Sequence, residues 1–355
     1  VPDWDRPIGK TTPLREALLT EIADVVDDTI ASINALPPYA PKRAAKKSTK
    51  KPRGRPNEMH LIISDVHVGE RNEPELMANL MGDRGYSFSV FEEASETLSE
   101  RVQYFHECYS SVFPINKLVI NFIGDIVTGE SIFIGQQLQI DKIVSDQIFE
   151  GAHRFAGIFT YWASMFDTVE VYCISGNHGR VGRKGELHYR TNFDYILYRV
   201  TAALCANVKN MRWVIGEGPS LVVEHGHGWN FLLHHGDSIP GAGVTKANYG
   251  SLEKKVNHFA AMANIPIHYS LCGHYHRSAS IGLAGGGRLI VNGSFPGGSP
   301  FSVEVLSDAQ VPSQKLLILD PKYGVHSETD IILGQRPQLV KDDLRVYTRN
   351  YRTSA

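Results

Sequence analysis

Thiols, long apolar runs and an excess of either charge are scarce in this chain of 355 residues. Its four cysteines, Cys108, Cys173, Cys205 and Cys272, are far apart, with no C-x-x-C pair. That spacing excludes a disulfide framework and a thiolate zinc site. Cys173 and Cys272 fall in apolar, strand-like runs, so buried free thiols in a reducing, cytoplasmic setting are expected. No apolar run approaches the ~20 residues of a membrane span, and no signal-peptide pattern precedes the first apolar segment, so no membrane partner is expected. The chain begins at Val1, as a fragment of a longer product would. With a net charge of −2, any affinity for a polyanion must come from a local patch. Histidine, by contrast, is plentiful: there are 15, many beside Gly or Asp.

Residues 1–36 form an N-terminal segment in which Leu14, Leu18, Ile22, Val25, Val26, Ile30 and Ile33 make a helical stripe after Thr12-Pro13. This amphipathic helix offers a surface for the main domain or for a protein partner. Residues 37–57 are a basic linker, with Lys42-Arg43, Lys46-Lys47, Lys50-Lys51, Arg53 and Arg55 and almost no acids. Within it, Lys51-Pro52-Arg53-Gly54-Arg55-Pro56 resembles the AT-hook, a DNA-binding element of the minor groove. An extended Arg53-Gly54-Arg55 suits a narrow A·T groove, where the negative potential is enhanced. The bland alternative is a solvated tether.

The main domain, 58–333, alternates strands and helices. Strands are expected at 61–63, 117–123 and 169–174, and helices near 91–109, 141–164 and 191–206. A β-rich half follows, with a hairpin of 220–224 and 230–234 around His225-Gly226-His227-Gly228, then a strand at 267–271. Segments 288–291, 301–305 and 314–319 read as successive antiparallel strands, and 334–355 as a polar tail. The fold class is α/β, with the site on the carboxyl edge of the strands.

Polar residues gather where those apolar runs stop: Asp65 and His67, Asp125, Asn177 and His178, His235, and His274 and His276. Alternation along a strand end would put Asp65 and His67 on one face. These are oxygen and imidazole ligands without thiolate, suited to manganese, iron or zinc. Eight such residues at five strand-to-loop junctions imply two metals sharing a carboxylate, an arrangement that activates water and stabilises charge on phosphoryl oxygens. A lone His is more often a core or surface residue. His225 and His227, at the hairpin turn, and His234, facing away from His235, are left out on that ground.

The blocks D-x-H, G-D, G-N-H, H-G and G-H-x-H, in this order over residues 60–276, resemble the calcineurin-like metallophosphoesterase superfamily. The resemblance implies a four-layer β-sandwich flanked by helices and hydrolysis of phosphoesters by a hydroxide bridging two divalent ions, most simply Mn, with Fe, Zn or Ni as alternatives. It implies that Asp65, His67 and His276 hold one metal and that Asn177, His235 and His274 hold the other. Asp125 would bridge the two, and His178 would face the phosphate as the catalytic imidazole. Two departures stand out. Gly179-Arg180 follows G-N-H where many members carry an acid, and Thr128 stands where many have a second Asp. The partner that orients His178 must therefore come from elsewhere, and Arg180 and Arg183 become candidate phosphate contacts.

Which phosphoester is cleaved is a separate question. The AT-hook-like linker and the basic loop after His178 lean towards DNA. So does the segment Gly124-Asp125-Ile126-Val127-Thr128-Gly129, with Phe133 to Gln137 and Asp146-Gln147, which is similar to the small exonuclease subunit of archaeal family-D DNA polymerases. The layout also resembles phage and prokaryotic phosphoesterases carrying G-N-H-G-R, which would place the protein in a host cytoplasm. The expectation is a two-metal DNA phosphodiesterase. The alternatives are a phosphatase or diesterase for small nucleotides or phosphoproteins, and a DNA-binding scaffold with a vestigial site.

Overall fold

The computed structural model describes residues 35, 39–41, 54–72, 85–133, 135–226, 228–237, 249–283, 286–296 and 310–334. Eleven strands and four α-helices lie within them, in the order β1 (Asn57–Ile63), α1 (Phe88–Ser110), β2 (Ile115–Phe122), α2 (Val144–Ala163), β3 (Thr168–Cys173), α3 (Phe193–Leu204), β4 (Met211–Ile215), β5 (Ser220–His225), β6 (Trp229–His234), α4 (Tyr249–Ala263), β7 (Tyr269–Cys272), β8 (Ala279–Gly282), β9 (Arg288–Val291), β10 (Ser313–Asp320) and β11 (Gly324–Ile332). Among these residues no helix is long and apolar enough to cross a membrane.

The strands make two sheets, ordered β11-β10-β1-β2-β3-β4 and β5-β6-β7-β9-β8. β1 to β4 run parallel, with β10 antiparallel to β1. β1 is buried along nearly its whole length because it is covered on both faces, as a parallel strand must be. Met59, Leu61 and Ile63 point to one core with Phe91, Phe155, Phe159 and Trp162 of α1 and α2. Ile62 points the other way, into a second core with Phe231, Leu233 and Leu271 from the other sheet. A third core joins the far face of that sheet to Leu252 and Val256 of α4. Three cores separate four layers, helix, sheet, sheet, helix, and the α/β sandwich flanked by helices is the architecture observed.

Helix starts are set locally. Asn192 caps α3 by accepting the Asp194 N–H at 2.8 Å, and Ser87 caps α1 through Val90. α2 begins at Val144, later than expected, with the Glu130 carboxylate on its first N–H at 3.1 Å.

One expectation needs correction. Segments 288–291 and 314–319 are not successive antiparallel strands: β9 pairs parallel with β7 in the second sheet, while β10 crosses to β1 in the first. Residues 301–305 lie outside the described residues. β4, β8, β11 and α4 were not anticipated. They sit at sheet edges or on the outer layer, where polar residues break the apolar pattern.

The N-terminal helix and most of the basic linker fall outside the described residues, as do Arg53, His227 and the tail after 334. Tyr39 is described. Its hydroxyl donates to Ser99 Oγ at 2.9 Å, and its ring lies under the Arg154 guanidinium.

Candidate metal centre

The eight residues come together at the carboxyl ends of β1, β2, β3, β6 and β7. Strand alternation is not what delivers them. Among the described residues six non-glycines have positive φ, and five are Asp65 (51°), His67 (52°), Asp125 (52°), His274 (71°) and His276 (54°). Each follows a strand that has already ended, so the chain turns through a left-handed residue to aim the side chain inward. Such residues cost roughly 1–3 kcal/mol each unless the surroundings impose them, with Asp and His among the better tolerated. Here three glycines allow the close approach. A Cβ on Gly176 would collide with the Asp125 carboxylate, one on Gly273 with Asp65, and one on Gly124 with the backbone of Gly176.

Three overlapping groups have ligand atoms within 4.8 Å of one another: Asp65, His67 and His276; His67, Asp125 and His178; and Asp125, His235 and His274. Asn177 joins the last group through Oδ1, 3.1 Å from His235 Nε2. Asp65 and Asp125 are buried, as are His67, Asn177 and His235; His274 and His276 are half-buried.

The hydrogen-bond pattern asks for cations. His235 Nδ1 sits 3.0 Å from the Ile123 carbonyl, which can only accept, so Nδ1 carries the proton. Its Nε2 then faces two more acceptors, Asp125 Oδ2 at 2.8 Å and Asn177 Oδ1. A neutral imidazole cannot satisfy all three, so a proton or a metal must sit at Nε2. The Asp125 charge, working against burial, pushes the His235 pKa up to about 10, the same demand expressed as proton affinity. His67 Nε2 and His276 Nε2 face each other at 3.2 Å, with Asp65 Oδ1 3.4 Å from His276 Nε2, a second point that one proton or one cation can bridge. Burial lowers the pKa of His67 well below its usual range, which keeps its lone pair available. The donor set therefore fits two divalent ions: Asp65, His67 and His276 for one, Asn177, His235 and His274 for the other, and Asp125 within reach of both.

His178 is placed by backbone. Its N–H donates to Asp125 Oδ1 at 2.8 Å, and its Nδ1 donates to the Thr128 carbonyl at 3.2 Å. The missing acid after G-N-H is thus replaced by a carbonyl, and Nε2 is left for chemistry. Its ring packs edge-on against His67 at 4.5 Å and against the half-exposed Phe133 at 4.8 Å.

Two residues that the motif reading passed over hold the site. Asp194, at the start of α3, is fully buried and accepts four backbone N–H groups. Oδ2 takes Asp125 (2.9 Å) and Gly176 (2.8 Å), and Oδ1 takes Ile126 (3.0 Å) and Val127 (3.1 Å). Burial, with the Asp125 charge adding, pushes its pKa up to about 6 against those donors. The only sequence signal was an Asp two residues after a capping Asn192. Glu70, three residues after His67, lies 3.3 Å from His67 Nδ1 and orients that ring.

The basic loop is less uniform than its sequence. Lys184 pairs with Asp237 at 2.9 Å and Arg190 with Glu217 at 2.6 Å. Arg180 Nε donates to the Asn177 carbonyl at 3.1 Å, which leaves its two terminal nitrogens, and Arg183 is exposed. Both line a cavity of about 80 Å³ beside the ligands, which is bounded by Ser175, Tyr189 and Asp237 and by no ligand side chain. Of the linker motif, Gly54 and Arg55 are described and exposed, at the opposite end of β1 from Asp65. His234 is buried and bonds Ser270 Oγ at 3.0 Å. His225 is not at the exposed turn but closes β5 inside the core between the sheets.

No protein-family model matches the chain. No curated protein matches it either. Similar solved structures include a Vps29 from Entamoeba histolytica solved with zinc, at 14% identity over 77% of this chain and 99% of that one, with a TM-score of 0.36. An archaeal phosphodiesterase gives 11% identity over 77% and 99%, with a TM-score of 0.32. A predicted phosphoesterase from Streptococcus pneumoniae gives 12% identity over 78% and 99%, with a TM-score of 0.30. The functional reading rests on this chain's own residues.

Proposed function

We propose that the chain is a two-metal phosphodiester hydrolase acting on DNA. The observation that carries this reading is the shared carboxylate. Asp125 lies in two of the ligand groups at once, and His178 stands in the group between the two metal positions. Two bound divalent ions would supply Lewis-acid polarisation of the phosphoryl group and activation of water.

The remaining work belongs to the chain. His178 Nδ1 is fixed by the Thr128 carbonyl. With the ring doubly protonated, Nε2 can therefore hand its proton to the departing oxygen without the ring turning, leaving the neutral tautomer that the Thr128 carbonyl already holds. Arg180, held at Nε, offers its terminal nitrogens to phosphate oxygens in a two-pronged contact. Asp194 keeps Asp125 and Gly176 in register throughout. Support for a nucleic acid comes from Arg180 and Arg183 beside the site, from Phe133 as a stacking face next to His178, and from the basic linker entering through Arg55.

The test is hydrolysis by manganese-loaded protein of labelled single- and double-stranded oligonucleotides, beside a small aryl phosphodiester and an aryl phosphomonoester. Asp125→Asn serves as the control. Metal-dependent shortening of DNA that the substitution abolishes is the expected result. Turnover of the small esters with intact DNA would refute the substrate while keeping the chemistry. DNA binding without hydrolysis of any substrate would make the chain a scaffold.

A further inference from the structure

A second cluster of ligand-type side chains lies at the other end of β1. Glu58 and His60 share a strand face with Ile62, and His225 closes β5 opposite them, so the group bridges the two sheets. Their ligand atoms lie within 4.8 Å of one another. From Glu58 to Asp65 the strand rises about 20 Å, so this cluster is separate from the paired metal positions.

Its chemistry is unusual for a core. His60 is 0% exposed and His225 is 2% exposed. The His60 ring stacks on Phe231 at 5.0 Å and meets His225 edge-on at 4.7 Å, and His225 also abuts Tyr172. Neither ring nitrogen of His225 has a hydrogen-bond partner, nor does His60 Nδ1. An orphaned buried nitrogen is destabilising, so an apolar side chain would serve better at 225 unless its Nδ1, which faces Glu58, is used.

Distances point to the use. Glu58 Oε2 is 3.2 Å from His60 Nε2 and 3.6 Å from His225 Nδ1. The longer separation exceeds a hydrogen bond. Ligand atoms sharing a tetrahedral ion with bonds of about 2.0–2.1 Å lie about 3.3 Å apart, which both separations approach. Glu58 Oε1 is occupied separately, by the Gly226 N–H at 3.2 Å and by Lys117 at 3.7 Å, while Oε2 faces the two imidazoles, its contact to His60 Nε2 being within hydrogen-bond range so that an ion would replace a proton there. Lys117 is itself neutralised by Glu170 at 2.9 Å. The Glu58 side chain is 14% exposed, giving a path for the ion and for a water as fourth ligand.

We propose that Glu58, His60 and His225 bind a third divalent transition-metal ion, of the zinc class, that clamps β1 of the first sheet to β5 of the second. This assignment does not depend on the phosphodiesterase reading. It is tested by loading the full chain with Zn²⁺, removing free ion, and counting bound zinc per chain by atomic emission. His225→Leu and Glu58→Gln are each expected to hold one equivalent fewer than wild type. Asp125→Asn is expected to keep the zinc that His225→Leu loses, so the Asp125→Asn, His225→Leu double variant holds one fewer than Asp125→Asn. With Co²⁺, the absorption bands of a four-coordinate ion should persist in Asp125→Asn and fall in the double variant. Equal zinc counts in wild type and Glu58→Gln would overturn the proposal. Glu58→Gln keeps the side chain's volume and serves if His225→Leu fails to fold.

Discussion

Replacing Asp194 by asparagine tests how far the metal centre depends on a residue that touches no metal. Each carboxylate oxygen accepts two backbone N–H groups, Asp125 and Gly176 on one, Ile126 and Val127 on the other. An amide of the same shape keeps one oxygen and turns an NH₂ on the other pair. Two buried donors then lose their acceptor and meet a donor instead. At about 1–3 kcal/mol for each unsatisfied group, Asp194→Asn should lose roughly 2–6 kcal/mol of stability. Asp194→Ala, which abandons all four donors, should lose more, a large share of the ~5–15 kcal/mol that holds a domain folded. The backbone freed belongs to Asp125 and to the glycine before Asn177, so metal affinity should fall about 10- to 100-fold as well. Urea unfolding of chelator-treated protein gives the first quantity, and manganese titration by calorimetry gives the second. An Asn variant within about 0.5 kcal/mol of wild type, with unchanged manganese affinity, would refute the reasoning.

Other expectations follow from the same geometry. His178→Gln should lower kcat by about 10²–10⁴ while metal content, measured by atomic emission, stays at the wild-type value. Gly176→Ala drives a methyl into the Asp125 carboxylate. It should cost about 1–3 kcal/mol by overpacking and weaken metal binding, read by denaturation and calorimetry. Glu58 has its pKa lowered to about 2, because His60 and Lys117 outweigh burial. A depressed carboxyl contributes stability above its unfolded pKa and loses it as pH falls through the folded one. In metal-free protein, Glu58→Gln should therefore be less stable by up to about 3 kcal/mol at pH 6, and the gap should narrow between pH 4.5 and pH 3 in urea titrations.

The eight site residues were visible in the sequence because apolar runs ended repeatedly in Asp, Asn or His, and burial in a parallel sheet leaves few other reasons for that pattern. The manner of their delivery was not visible. Alternation predicted extended backbone at Asp65 and His67, whereas both are left-handed, a conformation imposed by packing against Gly273 and the β2 loop. Asp194 carried no motif, since the four backbone groups it accepts lie as far back as residue 125. His225 was placed at the hairpin turn, and only the pairing of the second sheet shows it to be core. Edge strands such as β11, with Ser, Glu, Thr and Asp along it, carry too little apolar alternation to be found locally.

The direction of β1 sets a length scale for any substrate. Arg55 stands two residues before the strand and Asp65 two residues after it, so the basic entry point and the metal centre lie on opposite edges of the same sheet, separated by at least about 20 Å. A strand within a B-form duplex advances about 3.4 Å per nucleotide, so a duplex touching both edges must span at least about six base pairs, and more if it follows the surface. Oligonucleotides shorter than that would reach His178 without feeling the arginines of the linker. Cleavage of short strands should then be insensitive to salt beyond the local effect of Arg180, while cleavage of longer ones should weaken steeply as salt rises.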